Sequence, residues 1–186
     1  MNILVLQGSP RKKGNTAALQ QSFLKGISSA GNHEIKEVTL QGLNIKPCAA
    51  CDSCAGLTDR YCVSRDDMTP LYEEFLQADL IVFSTPVYWW SMSAQLKLFI
   101  DRLYALNQRS GNKGFKGKNI VLILAYGGED PNSGADLVVN TFEDISEYND
   151  WKIKKVIRYC SKDTHVSDNP EKLEEAYETG RELAAL

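Results

Sequence analysis

The run Gly8-Ser9-Pro10-Arg11-Lys12-Lys13-Gly14-Asn15-Thr16 separates an apolar stretch, Ile3-Leu4-Val5-Leu6, from a segment with helical periodicity. A buried strand that turns into a helix leaves unpaired N–H groups, and the positive end of the helix dipole, facing the space beyond the strand. The residues placed there suit an anion. Gly8 and Gly14 permit unusual backbone angles and close approach, Ser9, Asn15 and Thr16 offer donors, and Arg11, Lys12 and Lys13 add positive charge. Asn15 or Thr16 is also suited to cap the helix. The Gly-Lys-Ser/Thr ending of a Walker loop is missing, as is the Gly-x-Gly-x-x-Gly dinucleotide fingerprint. The run reads as a phosphate loop, the alternative being an ordinary polar connection.

Outward from this loop the chain alternates strand and helix patterns. Met1–Gln7 reads as a first strand, Thr16–Ala30 as a helix with Leu19, Phe23, Leu24 and Ile27 on one face, and His33–Leu40 as a second strand. Asp66–Gln77 reads as a helix capped by Asp66 or Asp67, and the continuous apolar run Leu80-Ile81-Val82-Phe83 as a central parallel strand. Then follow a helix over Ser93–Asn107, a strand over Asn119–Ala125, a helix over Gly134–Glu147, a strand over Trp151–Cys160 and a helix over Glu171–Leu186. Five strands alternating with five helices predict an α/β fold, an open doubly wound parallel sheet of order 2-1-3-4-5 with helices on both faces and a ligand at the switch point between strands 1 and 3.

With 186 residues, 43% hydrophobic and 24% charged, the chain suits one domain over residues 1–186. A net charge of -3, with basic residues clustered only in the first loop, argues against nucleic acid and for a small phosphorylated ligand. No charged leader precedes the first strand and no apolar run reaches the length of a membrane span, so the expected location is cytoplasmic. Five cysteines, four of them crowded together, fit a reducing compartment better than a disulfide framework.

Two further loops are expected at the same crevice. Ser84 to Ala94 carries Tyr88-Trp89-Trp90, three consecutive aromatics suited to a planar ligand wall, or else to a sheet edge or subunit interface. Ala125 to Asp130 contains Tyr126-Gly127-Gly128, whose glycines would bring backbone N–H groups to a ring edge, or serve turn chemistry alone. A phosphate loop, an aromatic wall and a glycine-rich loop together describe a site for a ring with a single phosphate, FMN more naturally than a dinucleotide.

Gly8-Ser9-Pro10-Arg11 with Gly14-Asn15-Thr16, Pro86-Val87-Tyr88-Trp89 and the helix Lys97-Leu98-Phe99-Ile100-Asp101-Arg102 resemble, in this order, the NADPH-dependent FMN reductases of flavodoxin-like fold. The resemblance spans nearly the whole chain. It implies that Ser9, Arg11, Gly14, Asn15 and Thr16 hold the FMN phosphate, that Pro86, Val87, Tyr88 and Trp89 contact the ribityl chain and ring, and that Tyr126, Gly127 and Gly128 lie near the ring. It also implies NAD(P)H as co-substrate and a homodimer or homotetramer with FMN near the interface.

Cys48, Cys51 and Cys54, followed after seven residues by Cys62, lie in a cysteine-rich loop over residues 42–65. This spacing resembles the compact motif of the iron-sulfur flavoproteins, a branch of the same family whose thiolates hold a [4Fe-4S] cluster. Close spacing lets a short loop wrap three irons while the fourth thiolate completes the set. Structural zinc sites of four cysteines usually bring two separated pairs, and free thiols in a substrate-side loop are the remaining alternative. Cys160 is expected to be a buried small hydrophobe, His33 and His165 to be surface residues, and Asp101-Arg102 to form an interface ion pair.

The expected function is an FMN-dependent oxidoreductase passing electrons from NAD(P)H to a quinone-like, nitroaromatic or flavin acceptor, with no catalytic side chain because the flavin carries the chemistry. The alternative is an iron-sulfur flavoprotein that takes electrons from ferredoxin through the cluster to FMN. A flavin-binding redox sensor acting through the cysteine loop is a third class.

Overall fold

The computed structural model describes residues 1–107 and 114–186. Its strands are β1 (Asn2–Gln7), β2 (Glu34–Thr39), β3 (Leu80–Tyr88), β4 (Ser91–Met92), β5 (Asn119–Tyr126) and β6 (Lys152–Cys160). The helices are α1 (Asn15–Ser29), α2 (Met68–Gln77), α3 (Ala94–Arg102), α4 (Tyr104–Asn107), α5 (Ala135–Asn149) and α6 (Pro170–Leu183), with 3-10 turns at Ser53–Gly56 and Val166–Asp168. The long strands are parallel in the order β2-β1-β3-β5-β6, which is the expected 2-1-3-4-5 arrangement, and β4 is an added antiparallel strand on the end of β3.

Alternation along each strand divides the apolar residues between the two faces. Ile3, Val5, Leu80, Val82, Val121 and Ile123 meet Leu19, Phe23 and Ile27 of α1 and Ala176 of α6. Leu4, Leu6, Ile81, Phe83, Leu122 and Leu124 meet Phe75 of α2, Phe99 of α3, Phe142 of α5 and Trp151. Burying each such side chain contributes about 1.5–3 kcal/mol. Between α1 and α6 the backbones touch: a β-carbon on Gly26 would lie 1.9 Å from the Tyr177 carbonyl oxygen, and one on Gly180 would lie 2.0 Å from that of Phe23. On the other face Phe83 packs tilted against Phe142 at 4.9 Å and Phe75 against Trp151 at 5.5 Å between ring centroids.

Three expectations need correction. The third strand does not stop at Phe83 but runs to Tyr88, so Pro86, Val87 and Tyr88 belong to a strand, paired with β5 as far as Pro86–Ala125. The single helix expected over Ser93–Asn107 is two. The Leu103 amide bonds back three residues to the Ile100 oxygen, and Leu106 does the same to Leu103; this tightening ends α3 as Arg102 turns into the core. Finally, neither Asn15 nor Thr16 caps α1. The cap position is Gly14, in extended conformation with φ -83°, and the Asn15 Oδ1 accepts instead from the Val166 amide at 2.6 Å.

Candidate functional site

A crevice of about 440 Å3 opens at the carboxyl ends of β1, β3, β5 and β6. That volume is within the range of small-ligand sites. Ser9, Arg11, Lys13, Gly14, Asn15 and Thr16 supply one wall from the β1–α1 loop, Pro86, Val87 and Tyr88 a second, and Ala125, Tyr126 and Gly127 a third. The first bond of α1 runs from the Ala18 amide to the Gly14 oxygen. The first-turn amides before Ala18 thus have no acceptor within the helix and face the loop, the arrangement that binds anions. Within the loop the Ser9 hydroxyl accepts from the Arg11 amide at 3.2 Å, which fixes the turn and sends the Arg11 side chain outward. Gly8 is needed for space rather than for an unusual φ: a β-carbon there would lie 2.8 Å from the Ser93 hydroxyl, which donates to the Gly8 oxygen.

The third wall is braced from behind. The Tyr126 hydroxyl donates to Asp130 at 2.9 Å, Ser133 donates to the other Asp130 oxygen, and Arg158 lies over the Tyr126 ring, 5.8 Å from its centroid, while pairing with Asp136 at 2.8 Å. The Ser133 and Tyr126 hydroxyls and Arg158 hold the Asp130 carboxyl below the usual carboxylate range; burial and the Asp130 bond push the Tyr126 phenol up. Tyr126 is thus a neutral donor at ordinary pH.

Two of the expected wall residues are elsewhere. Trp89 is at the tip of the β3–β4 hairpin, 90% exposed, and Gly128 accepts from the Cys160 thiol at its carbonyl; neither lines the crevice. Two other residues join it with no signature in the sequence, Ser161 and His165, which the chain carries back over α1 after β6. The Asn15–Val166 bond sets His165 beside the phosphate loop, so the expected surface histidine is half-exposed and lines the crevice. The Ser167 amide donates to its Nδ1 at 3.2 Å. Cys160 is half-buried rather than buried. Arg102 pairs with Asp66, while Asp101 pairs with Lys97, so the expected Asp101-Arg102 interface pair does not form.

Cys48, Cys51, Cys54 and Cys62 line one cavity together with Arg102 and Tyr104. Cys48 and Cys51 are exposed, Cys54 buried and Cys62 between. Ala50 and Asp52 adopt left-handed φ of 49° and 53°, which bends the loop between the cysteines, and the Tyr104 hydroxyl donates to Asp52 at 3.2 Å. Burial, and then the nearby Cys62, Cys48 and Cys51, push the Cys54 thiol up, whereas hydrogen bonding with Ser53 lowers that of the exposed Cys51. Among the described residues no group of three or more His, Cys, Asp or Glu side chains is drawn together closely enough to hold a single metal ion. Four thiols around one cavity are the donor set of a [4Fe-4S] group, whose thiolates each take a separate iron.

Residues 1–142, from β1 into α5, match the family described as NADPH-dependent FMN reductase. The chain belongs to that family. An iron-sulfur flavoprotein of Archaeoglobus fulgidus is 34% identical over 127 residues, covering 68% of this chain and 56% of that protein, so this chain matches little more than half of its relative's length. YwqN of Bacillus subtilis, named as an NAD(P)H-dependent FMN-containing oxidoreductase, is 29% identical over 151 residues, 80% of this chain and 78% of YwqN. Among solved structures, an FMN-dependent NADH-azoreductase of Bacillus anthracis in complex with FMN superposes with a TM-score of 0.67 at 15% identity, covering 98% of this chain and 97% of that one. The last likeness is one of fold. In this FMN reductase family member the first three walls of the crevice fall within the matched residues, whereas Ser161 and His165 lie beyond them.

Proposed function

We propose that this chain binds FMN in the crevice and is an oxidoreductase, passing electrons from NAD(P)H to a quinone-like, nitroaromatic or flavin acceptor. The observation that carries this reading is the convergence of an anion-binding helix N-terminus with the ends of β3 and β5 in a single crevice at the switch point of the sheet. Arg11, Lys13 and the first-turn amides of α1 would receive the phosphate, with Ser9, Gly14, Asn15 and Thr16 shaping the loop around it. Pro86, Val87 and Tyr88 would bound the ribityl chain and ring, and the Gly127 amide, on a loop braced by Asp130, would face the ring's polar edge. When bound, the flavin supplies the two-electron chemistry. Backbone donors at its polar edge stabilise negative charge there, and no side chain of the crevice has to act as an acid or base. Trp89 and Gly128, next to the crevice residues Tyr88 and Gly127, remain candidates for ring contact. A homodimer or homotetramer, in the cytoplasm, is the setting we propose.

A second reading is favoured by the four thiols around one cavity. In it Cys48, Cys51, Cys54 and Cys62 would hold a [4Fe-4S] cluster and reduced ferredoxin would replace NAD(P)H as donor.

An anaerobic absorption spectrum, with iron and acid-labile sulfide assayed on the same sample, tests both. Flavin bands with turnover of NADPH and a quinone support the reductase; flavin bands with about four irons per chain and turnover only with reduced ferredoxin support the carrier. A chain that takes up no FMN on reconstitution refutes both. The phosphate assignment has its own check. Replacing Arg11 by Gln should weaken FMN binding by about tenfold while leaving riboflavin binding unchanged, as measured by flavin fluorescence quenching.

A further inference from the structure

Two buried donors without a well-formed hydrogen bond lie beside Cys62: Arg102 lines the four-cysteine cavity, and Tyr72 lines the neighbouring pocket that shares Cys62. Arg102 is 2% exposed, its Nη1 donating to the Lys46 oxygen at 2.8 Å and to Asp66 Oδ2 at 2.6 Å, and its Nη2 to Asp66 Oδ1 at 3.3 Å. This fork holds the guanidinium in place. The remaining nitrogen, Nε, is sealed from solvent and has no hydrogen-bond partner. Tyr72 is 1% exposed, and its hydroxyl is in the same condition. Arg102, Tyr72 and Cys62 lie within electrostatic and weak hydrogen-bonding reach of one another, though no contact of the Tyr72 hydroxyl is a well-formed bond: burial first, with the charge and hydrogen bonding of Cys62 adding, pushes the Tyr72 phenol above its usual value, while the charge and hydrogen bonding of Arg102 work in the opposite direction.

Buried polar groups are nearly always paired, so two orphaned donors beside the same thiol call for an acceptor. A neutral thiol is a poor one. The thiolates and sulfides of an iron–sulfur centre are acceptors and carry negative charge, and hydrogen bonds to sulfur are among the factors that set the potential of such a centre. A buried cation beside it offsets part of that charge.

We propose that Tyr72 and Arg102 are positioning residues for an iron–sulfur centre on Cys48, Cys51, Cys54 and Cys62, their O–H and Nε–H donating to sulfur on the Cys62 side and favouring its reduced, more negative form. The inference rests on the second reading above. Its consequence is that cluster potential in this chain is set from α2 and α3, outside the cysteine loop itself.

The test uses the full chain reconstituted anaerobically with ferrous iron and sulfide, as wild type, Tyr72→Phe and Arg102→Lys. Tyr72→Phe removes only a hydroxyl with no well-formed bond, so without iron its melting temperature should stay close to that of the wild type. With the cluster in place, a redox titration followed by electron paramagnetic resonance should show the midpoint shifted to more negative potential. Iron should be lost to a chelator roughly tenfold faster. Arg102→Lys should shift the midpoint the same way and also melt lower, because the fork to Asp66 is lost. If Tyr72→Phe has the wild-type midpoint and the wild-type rate of iron loss, the proposal is wrong while the cluster assignment stands. If the wild type itself assembles no cluster, both are wrong.

Discussion

Asp66 and Arg102 join two segments that sequence patterning treats separately, the start of α2 and the end of α3. Their side chains are 0% and 1% exposed, and the Asp66 carboxylate also accepts from the amides of Lys46 at 3.0 Å and Met68 at 3.1 Å. Burial alone would raise the Asp66 carboxyl; the Arg102 fork and the two amides outweigh it and hold the group below the usual range. A carboxyl depressed in the folded state contributes stability that is present above its unfolded value of about 3.9 and is lost as pH falls through the lower folded value. Acid unfolding should accordingly steepen below about pH 4. The variant Asp66→Asn should lose about 3–5 kcal/mol at pH 7, because it leaves a buried guanidinium uncompensated, and should no longer show that acid-dependent loss. Urea titrations of both proteins between pH 3 and 7 measure the two effects. Equal pH profiles would mean that the pair is not what couples folding to acid.

At the scale of elements, the hairpin joining β3 to β4 stands out because it breaks its own turn chemistry. Val87 pairs with Met92 and Tyr88 with Ser91, so Trp89 and Trp90 are the two turn residues, with φ of 48° and 60°. Left-handed conformation at both positions is the type I′ turn that normally carries Asn-Gly, and bulky side chains are strained there. Trp90 recovers part of the loss by donating its indole N–H to the Asn132 oxygen at 3.0 Å, whereas Trp89 is 90% exposed. Substituting Trp89 by Gly should therefore raise stability by about 1 kcal/mol, visible as a higher melting temperature. A drop instead would show that the indole is packed in the protein in solution. The aromatic run was legible as a feature at the mouth of the crevice, but not as a turn. Nothing in Tyr88-Trp89-Trp90 signals positive φ, so the strand end and the short β4 were hidden. The break between α3 and α4 was hidden for a similar reason: apolar spacing continues through Leu103 and Leu106, and only the path of Arg102 into the core requires the tighter bonds.

For the whole molecule, the contact between α1 and α6 decides how the crevice closes on its far side. Gly26 and Gly180 let the two helices meet backbone to backbone. A methyl group at Gly26 has no room to move a flexible neighbour, so the helices themselves must part, and Gly26→Ala should cost about 3 kcal/mol. Because the segment leading into α6 carries His165 and the Val166 amide bonded to Asn15, the same variant should also weaken FMN binding. Thermal melting and flavin titration on one preparation check both; loss of stability with unchanged flavin affinity would separate the helix contact from the crevice.

What the sequence determined by itself was set by short-range physics. Period-two and period-3.6 apolar patterns, the continuous apolar runs of buried parallel strands, and a glycine-bounded basic loop after the first strand are local, and they specified the alternating strands and helices and the wall formed by Ser9 to Thr16, while the strand order followed from the doubly wound class those elements belong to. The spacing of Cys48, Cys51, Cys54 and Cys62 marked a thiol site in the same way. What only the tertiary structure decided depends on residues far apart in the chain. The Asp66–Arg102 fork, the orphaned Tyr72 hydroxyl facing Cys62, the turn that lifts Trp89 out of the crevice and the return of His165 over α1 each follow from where the packed core leaves room. A pair separated by 36 residues, as Asp66 and Arg102 are, has no periodicity to announce it.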